Sequence, residues 1–202
     1  MVEFSDEEVL ATTRKLRVGY ELKRTLRYRT KRDFEIHSES DAEHIFALIY
    51  LAYYFLKTEP SGTSLNVEKI NNLILFHEFG EIKHGDVVTY DKTNEDKKRE
   101  ARAAKEIFES LPEPLDKEGY EFWLEYEAQQ TPEARFCFAL DKIEPLFELF
   151  DPVNQESMKN LQVTYEMNLS NKLRPTEEFP VMRRFVEVLS KDMLDRGVFW
   201  SA

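Results

Sequence analysis

The stretch from Asn66 to Asp86, NVEKINNLILFHEFGEIKHGD, decides how the rest of the chain is read. Ile70, Leu73, Ile74 and His77 fall at i, i+3, i+4 and i+7, so it predicts an amphipathic helix capped by Asn66. His77 then closes an apolar stripe and points inward. Glu78, Glu81, His84 and Asp86 follow at once, and Gly80 and Gly85 loosen the backbone where they gather. An inward imidazole beside clustered carboxylates fits a buried metal or acid–base site. A hydrogen-bonded core histidine next to a solvated acidic turn fits it as well.

Upstream, Ser40 and Glu43 form an S-x-x-E capping box that starts a helix at Asp41 and puts His44 in its first turn. The apolar run Ile45–Leu56 follows. It is the longest in the chain, short of the roughly 20 residues a membrane span needs, and suits a buried core helix. A second such box, Ser5 with Glu8, starts a helix expected to run to about Tyr28.

Downstream, residues 87–92 read as irregular, and Thr93 then caps a helix with Ala101, Ala104, Ile107, Phe108 and Leu111 on one side. Its charged side (Glu95, Asp96, Glu100, Glu106, Glu109, interleaved with Lys and Arg) reads as a solvated, paired surface. Pro112 and Pro114 end it. Residues 117–129 give a fifth helix, with Trp123 and Tyr126 as core or interface aromatics. Thr131 as cap and Pro132 at the first position open a sixth, apolar along Phe136, Ala139, Leu140, Ile143, Phe147 and Phe150. Asp141 sits on its flank, where a carboxylate is costly unless paired or metal-bound. Amphipathic segments at about 155–172 and 179–194 complete the chain. With no strand alternation, repeat or linker, the expectation is a single all-α domain over residues 1–202, of roughly seven or eight helices.

The net charge of −11 argues against a general nucleic-acid binder. It is unevenly spread: from Arg14 to Asp33, nine Lys or Arg face Glu21 and Asp33, so that segment is +7 and the remainder −18. Such a strip is a solvated helix face or a phosphate contact, since Arg binds phosphate oxygens in a bidentate fork. One cysteine, Cys137, excludes an internal disulfide framework and fits a reducing cytoplasm. The acidic start MVEFSDEEV resembles neither a signal nor a transit peptide.

Three separated motifs together carry a resemblance: E-S-D-A-E-H (39–44), I-L-F-H-E-F-G-E-I-K-H-G-D (74–86) and A-L-D-K (139–142). With F-W-L-E-Y-E (122–127) between the last two, the chain from about Leu22 to Phe150 resembles the HD-domain metal-dependent phosphohydrolases, in the small branch that includes 5′-deoxynucleotidases. The resemblance implies a helical bundle and one divalent metal ion held by His44, His77, Glu78 and Asp141. The ion would be Mn, Co, Fe, Ni, Zn or Mg. It implies Glu81 as catalytic acid, Asp86 near the substrate, and Arg27 or Arg29 as phosphate contacts. The expected reaction is phosphate release from (deoxy)nucleoside monophosphates, in a cytoplasmic homodimer with neither a membrane nor a stable nucleic-acid partner. Residues 151–202 lie outside it and are expected to cover the core or form a dimer face. One departure stands out: the family's His-Asp pair is His77-Glu78 here, one methylene longer.

Two rivals have a sequence test. A zinc peptidase reading of His77-Glu78 needs a second histidine where Glu81 stands. The other rival is a catalytically weakened HD scaffold that binds nucleotides or a partner; a decayed site is expected to lose Glu81 and Asp86, and both are present.

Overall fold

Helix starts are set by short polar side chains that catch the first free backbone N–H groups, and each expected cap among Ser5, Ser40, Asn66, Thr93 and Thr131 performs that task. The computed structural model describes residues 4–16, 40–84, 87, 89, 90, 92–150, 155 and 158–201. Among these, the helices are α1 (Asp6–Leu16), α2 (Asp41–Thr58), α3 (Val67–Phe76), α4 (Asn94–Glu109), α5 (Tyr120–Ala128), α6 (Pro132–Glu148), α7 (Tyr165–Leu173) and α8 (Pro180–Asp195). No strand occurs among the described residues, so the all-α expectation holds. The expected continuation of α1 to Tyr28 falls outside them.

The chain divides into two compact units, residues 1–64 with 139–202, and residues 65–138. The helix α6 begins in the second and ends in the first.

In the first unit, Phe185 of α8 is the hub. Its ring meets Phe55 of α2 edge-on at 5.2 Å, stacks on Phe147 of α6 at 6.0 Å, and meets Phe4 at 6.2 Å. Leu48 and Leu51 of α2 and Val186 and Leu189 of α8 are fully buried in the same unit. Each such side chain contributes roughly 1.5–3 kcal/mol through removal from water. The start of α8 lacks a cap of its own, and Glu59, just past α2, serves it remotely. Its buried carboxylate accepts from the N–H groups of Met182 (2.6 Å) and Val181 (3.3 Å). Burial pushes the Glu59 carboxyl up, and the two N–H groups offset only part of that.

The segment 155–172, expected as one helix, is interrupted. Gln162 takes a left-handed conformation (φ 54), and the N–H of Val163 returns to the carbonyl of Met158 at 2.9 Å, closing the turn. Thr164 then caps a new helix, its side chain accepting from Met167.

In the second unit, α3 does not carry its α-helical winding past Phe76. Residues His77–Glu81 tighten into a 3₁₀ turn that lies against α4 and α5. Phe76, Ala104, Phe108 and Trp123 make the buried cluster, with Phe79 stacked on Phe108 at 5.2 Å. Gly80 permits the approach: a Cβ there would lie 3.3 Å from both the Glu100 carbonyl oxygen and the Trp123 indole nitrogen. Lys69 of α3 reaches Glu125 at 2.5 Å and Glu133 at 3.5 Å, fastening α3 to α5 and to the start of α6. The expected fifth helix also starts later than its pattern suggests. Residues Leu115–Gly119 form a wider π turn before α5.

Candidate metal centre

Each unit holds one inward histidine beside carboxylates. In the second unit, His77 is the last residue of the apolar stripe on α3, and its side chain is 3% exposed. Its Nδ1–H donates to the Ile74 carbonyl at 2.7 Å, and its ring lies 4.9 Å from that of Tyr126. That bond orients the ring, and in the neutral imidazole it places the lone pair on Nε2. Nε2 lies 2.9 Å from Glu78 Oε1. A lone pair and an ionised carboxylate oxygen repel at this separation unless a proton or a metal cation sits with them. The donor chemistry therefore fits a divalent ion, with the backbone carbonyl as the outer partner that orients the ring.

In the first unit, the Ser40–Glu43 capping box sets the start of α2 and with it the position of His44. Two carboxylates one turn apart on α6 flank its ring: Asp141 Oδ1 is 3.1 Å from Nε2, and Glu144 Oε2 is 3.2 Å from Nδ1. Glu144 is 1% exposed. The arrangement repeats that around His77, with a carboxylate in place of the carbonyl on the outer side. Burial pulls the His44 imidazolium down, but hydrogen bonds and charge from Asp141 and Glu144 outweigh it and raise His44 well above an ordinary histidine. Farther along α6, Pro145 lacks the N–H that the Asp141 carbonyl would otherwise receive.

Lysines complete both surroundings. Lys142 Nζ lies 2.8 Å from Asp141 Oδ2, and the buried Lys172 donates to the Lys142 carbonyl at 2.8 Å. Burial, with the Lys142 charge adding to it, pushes Lys172 down to about 8. In the second unit, Lys92 Nζ lies 2.8 Å from Glu100 Oε2 and 3.3 Å from Glu81 Oε1, and Glu81 is 8% exposed.

Of the residues singled out in the sequence, His44 meets Asp141 within the first unit and His77 meets Glu78 within the second. Glu81 faces Lys92. Asp86, Arg27 and Arg29 lie outside the described residues. Trp123 and Tyr126 are core aromatics as expected, and Cys137 is buried. One reading is corrected. Glu100 is not part of a solvated face but 6% exposed, because α4 turns it toward Lys92. Its neighbours do form the expected surface, with Asp96 on Arg99 at 2.8 Å and Glu109 on Lys105 at 3.8 Å. Sequence reasoning missed Glu144; its signal was the D-x-x-E spacing from Asp141 within a largely apolar helix.

Residues 20–182 match the HD domain family model, most of the chain, and the chain belongs to the HD domain family. Among its relatives, a human protein named 5′-deoxynucleotidase HDDC2 is 34% identical over 112 residues, 54% of this chain and 52% of that protein. The Schizosaccharomyces pombe 5′-deoxynucleotidase hdd1 is 30% identical over 120 residues, 56% of this chain and 58% of that one. The match thus spans little more than half the length of these relatives. A crystal structure of a predicted metal-dependent phosphohydrolase from Magnetospirillum magnetotacticum MS-1 superposes with a TM-score of 0.71 at 26% identity, covering 95% of this chain and 98% of that one. No helix among the described residues is long and apolar enough to cross a membrane.

Proposed function

We propose that the chain is a metal-dependent phosphomonoester hydrolase acting on nucleoside 5′-monophosphates, and that its two units work as one HD-type domain. His44, His77, Glu78 and Asp141, each offering one ligand atom, are the residues that would hold a single divalent ion. The observation that carries this reading is the repeated pairing of a histidine Nε2 with a carboxylate oxygen, at 3.1 Å for His44 and 2.9 Å for His77. Membership of the HD family and relatives named as 5′-deoxynucleotidases support the substrate class.

When bound, the ion supplies Lewis acidity toward a phosphate oxygen and lowers the pKa of a coordinated water. Glu81 orients or deprotonates the attacking water, or protonates the leaving ribose oxygen. Arg27 or Arg29 neutralises the phosphate dianion, and Asp86 lies near the substrate. The longer side chain of Glu78 adjusts which of Mn, Co, Fe, Ni, Zn or Mg serves best.

The exposed stripe Phe46, Ile49 and Tyr53 on α2 supports a homodimer, which light scattering tests directly. The lone buried Cys137 supports a reducing cytoplasm, and the net charge of −11 supports the expectation of no nucleic-acid partner.

The deciding experiment is phosphate release from a panel of nucleoside monophosphates by metal-stripped protein, resupplied with each divalent ion or none, with Glu81→Ala alongside. Metal-dependent release that disappears in the variant is the expected result. Full turnover without metal refutes the mechanism. Silence across the panel with metal tightly bound points instead to a nucleotide-binding scaffold.

A further inference from the structure

We propose that Lys92 is the positioning residue for Glu81, fixing it as a carboxylate that accepts or orients a proton rather than an acid that delivers one. The inference rests on the phosphohydrolase reading above and excludes the acid role left open there for Glu81.

The position of Lys92 is set at a helix cap. Lys92 immediately precedes Thr93, whose side chain and that of Asp96 form the capping box of α4, so its backbone is set by the helix start. Its ammonium then has two partners of unequal hold. Glu100, inside α4 and 6% exposed, is the nearer at 2.8 Å, and Glu81 is at 3.3 Å. The other oxygen of Glu100, Oε1, is buried without a hydrogen-bond partner among the described residues. A buried carboxylate in that state depends on its cation, so Glu100 anchors Lys92. Glu81 thereby meets an ammonium whose place does not depend on Glu81 itself.

Charge follows position. Burial pulls the Lys92 ammonium down, but Glu100 and Glu81 outweigh it and hold Lys92 well above an ordinary lysine, so it stays charged across the working range. A fixed ammonium beside Glu81 favours the ionised carboxylate and removes side-chain freedom that would otherwise be lost on reaching the transition state. Gly80 adds to the arrangement by letting the turn that carries Glu81 lie against the Glu100 backbone.

The test compares wild type, Lys92→Met, Lys92→Arg, Glu81→Gln and the double variant Glu81→Gln/Lys92→Met, all metal-loaded, by kcat, KM and metal content. Lys92→Met is expected to lower kcat roughly tenfold or more while KM and metal content stay within about twofold. Lys92→Arg restores most of the loss. Adding Lys92→Met to Glu81→Gln costs nothing further, because the lysine acts through the carboxylate. If Lys92→Met fails to fold with Glu100 stranded, Lys92→Met/Glu100→Gln removes that charge and carries the same expectations. An unchanged kcat, or losses that multiply in the double variant, overturns the proposal while leaving the phosphohydrolase reading intact. A silent wild type overturns both.

Discussion

The two inward histidines solve one problem with different materials. His77 is oriented by a backbone carbonyl three residues away, and its carboxylate partner is the next residue in the chain. His44 is oriented by the side chain of Glu144, and its carboxylate partner Asp141 is 97 residues away. The first arrangement is local: once α3 ends where it does, ring, tautomer and donor are nearly set. The second exists only when α2 and α6 are in place. A local pair therefore tolerates substitution around it, whereas the long-range pair rests on groups that a single mutation removes.

The largest expected effect tests whether the two pairs serve one ion. His44→Ala and His77→Ala should each abolish stoichiometric metal binding and reduce phosphate release roughly a thousandfold. Metal analysis of the purified variants, with far-ultraviolet circular dichroism as the folding control, checks this. Retention of a full equivalent of metal by either variant would mean that the two pairs do not share a site.

What the sequence disclosed divides along the same line. Helix starts and the burial of His77 were legible because capping side chains and the 3.6-residue stripe are local. The pairing of His44 with Asp141 was not written in any spacing and came only from the combination of three motifs. Glu144 went unread because a glutamate one turn from an aspartate looks like any charged pair on a helix flank. Glu100 was misread for the converse reason: it sits among alternating charges that are solvated, and only Lys92, from outside the helix, marks it as buried. The break before α7 was hidden because a left-handed glutamine carries no glycine signal.

A half-buried lysine in one unit and a buried one in the other sharpen the contrast between them. Lys92 keeps its charge between two carboxylates, whereas Lys172 is pushed down to about 8 with a carbonyl as its hydrogen-bond partner. A depressed lysine favours the folded state fully only above its unfolded value near 10.5, and that contribution disappears as pH falls through about 8. In metal-stripped protein, Lys172→Met has no proton to bind there. It should gain on wild type by about 3 kcal/mol between pH 10.5 and pH 8, and no further below. Denaturant titrations of both proteins across that range measure the gap; a gap independent of pH would remove Lys172 as a buried, depressed ammonium.

Glu144→Gln probes the outer partner that His77 has only as backbone. Glutamine keeps an acceptor near Nδ1 but removes the charge that makes the imidazole a stronger donor. Metal affinity should fall roughly 10- to 100-fold with stoichiometry recoverable at saturating metal. Competition with a chelator gives the number, and an unchanged affinity would assign Glu144 to fold stability alone.

The smallest effect belongs to the position where the chain departs from its family. Glu78→Asp installs the usual family residue, yet the surrounding geometry is built for glutamate. The Glu78 Oε1 lies 2.9 Å from His77 Nε2, in a 3₁₀ turn fixed by Gly80 against α4. Removing one methylene draws the carboxylate back along its own axis, while the His77 ring, held by the Ile74 carbonyl, does not follow. A coordination bond tolerates only about 0.2 Å of misplacement before it weakens, so the ion must shift toward the shortened carboxylate or lose it. Because the pair is local, the turn can yield part of the distance. The expected result is therefore a loss of roughly tenfold or less in metal affinity, smaller than for Glu144→Gln. It should come with a changed order of activity among Mn, Co, Zn and Mg. A larger loss than Glu144→Gln would show that the local pair is the less tolerant of the two, reversing the comparison.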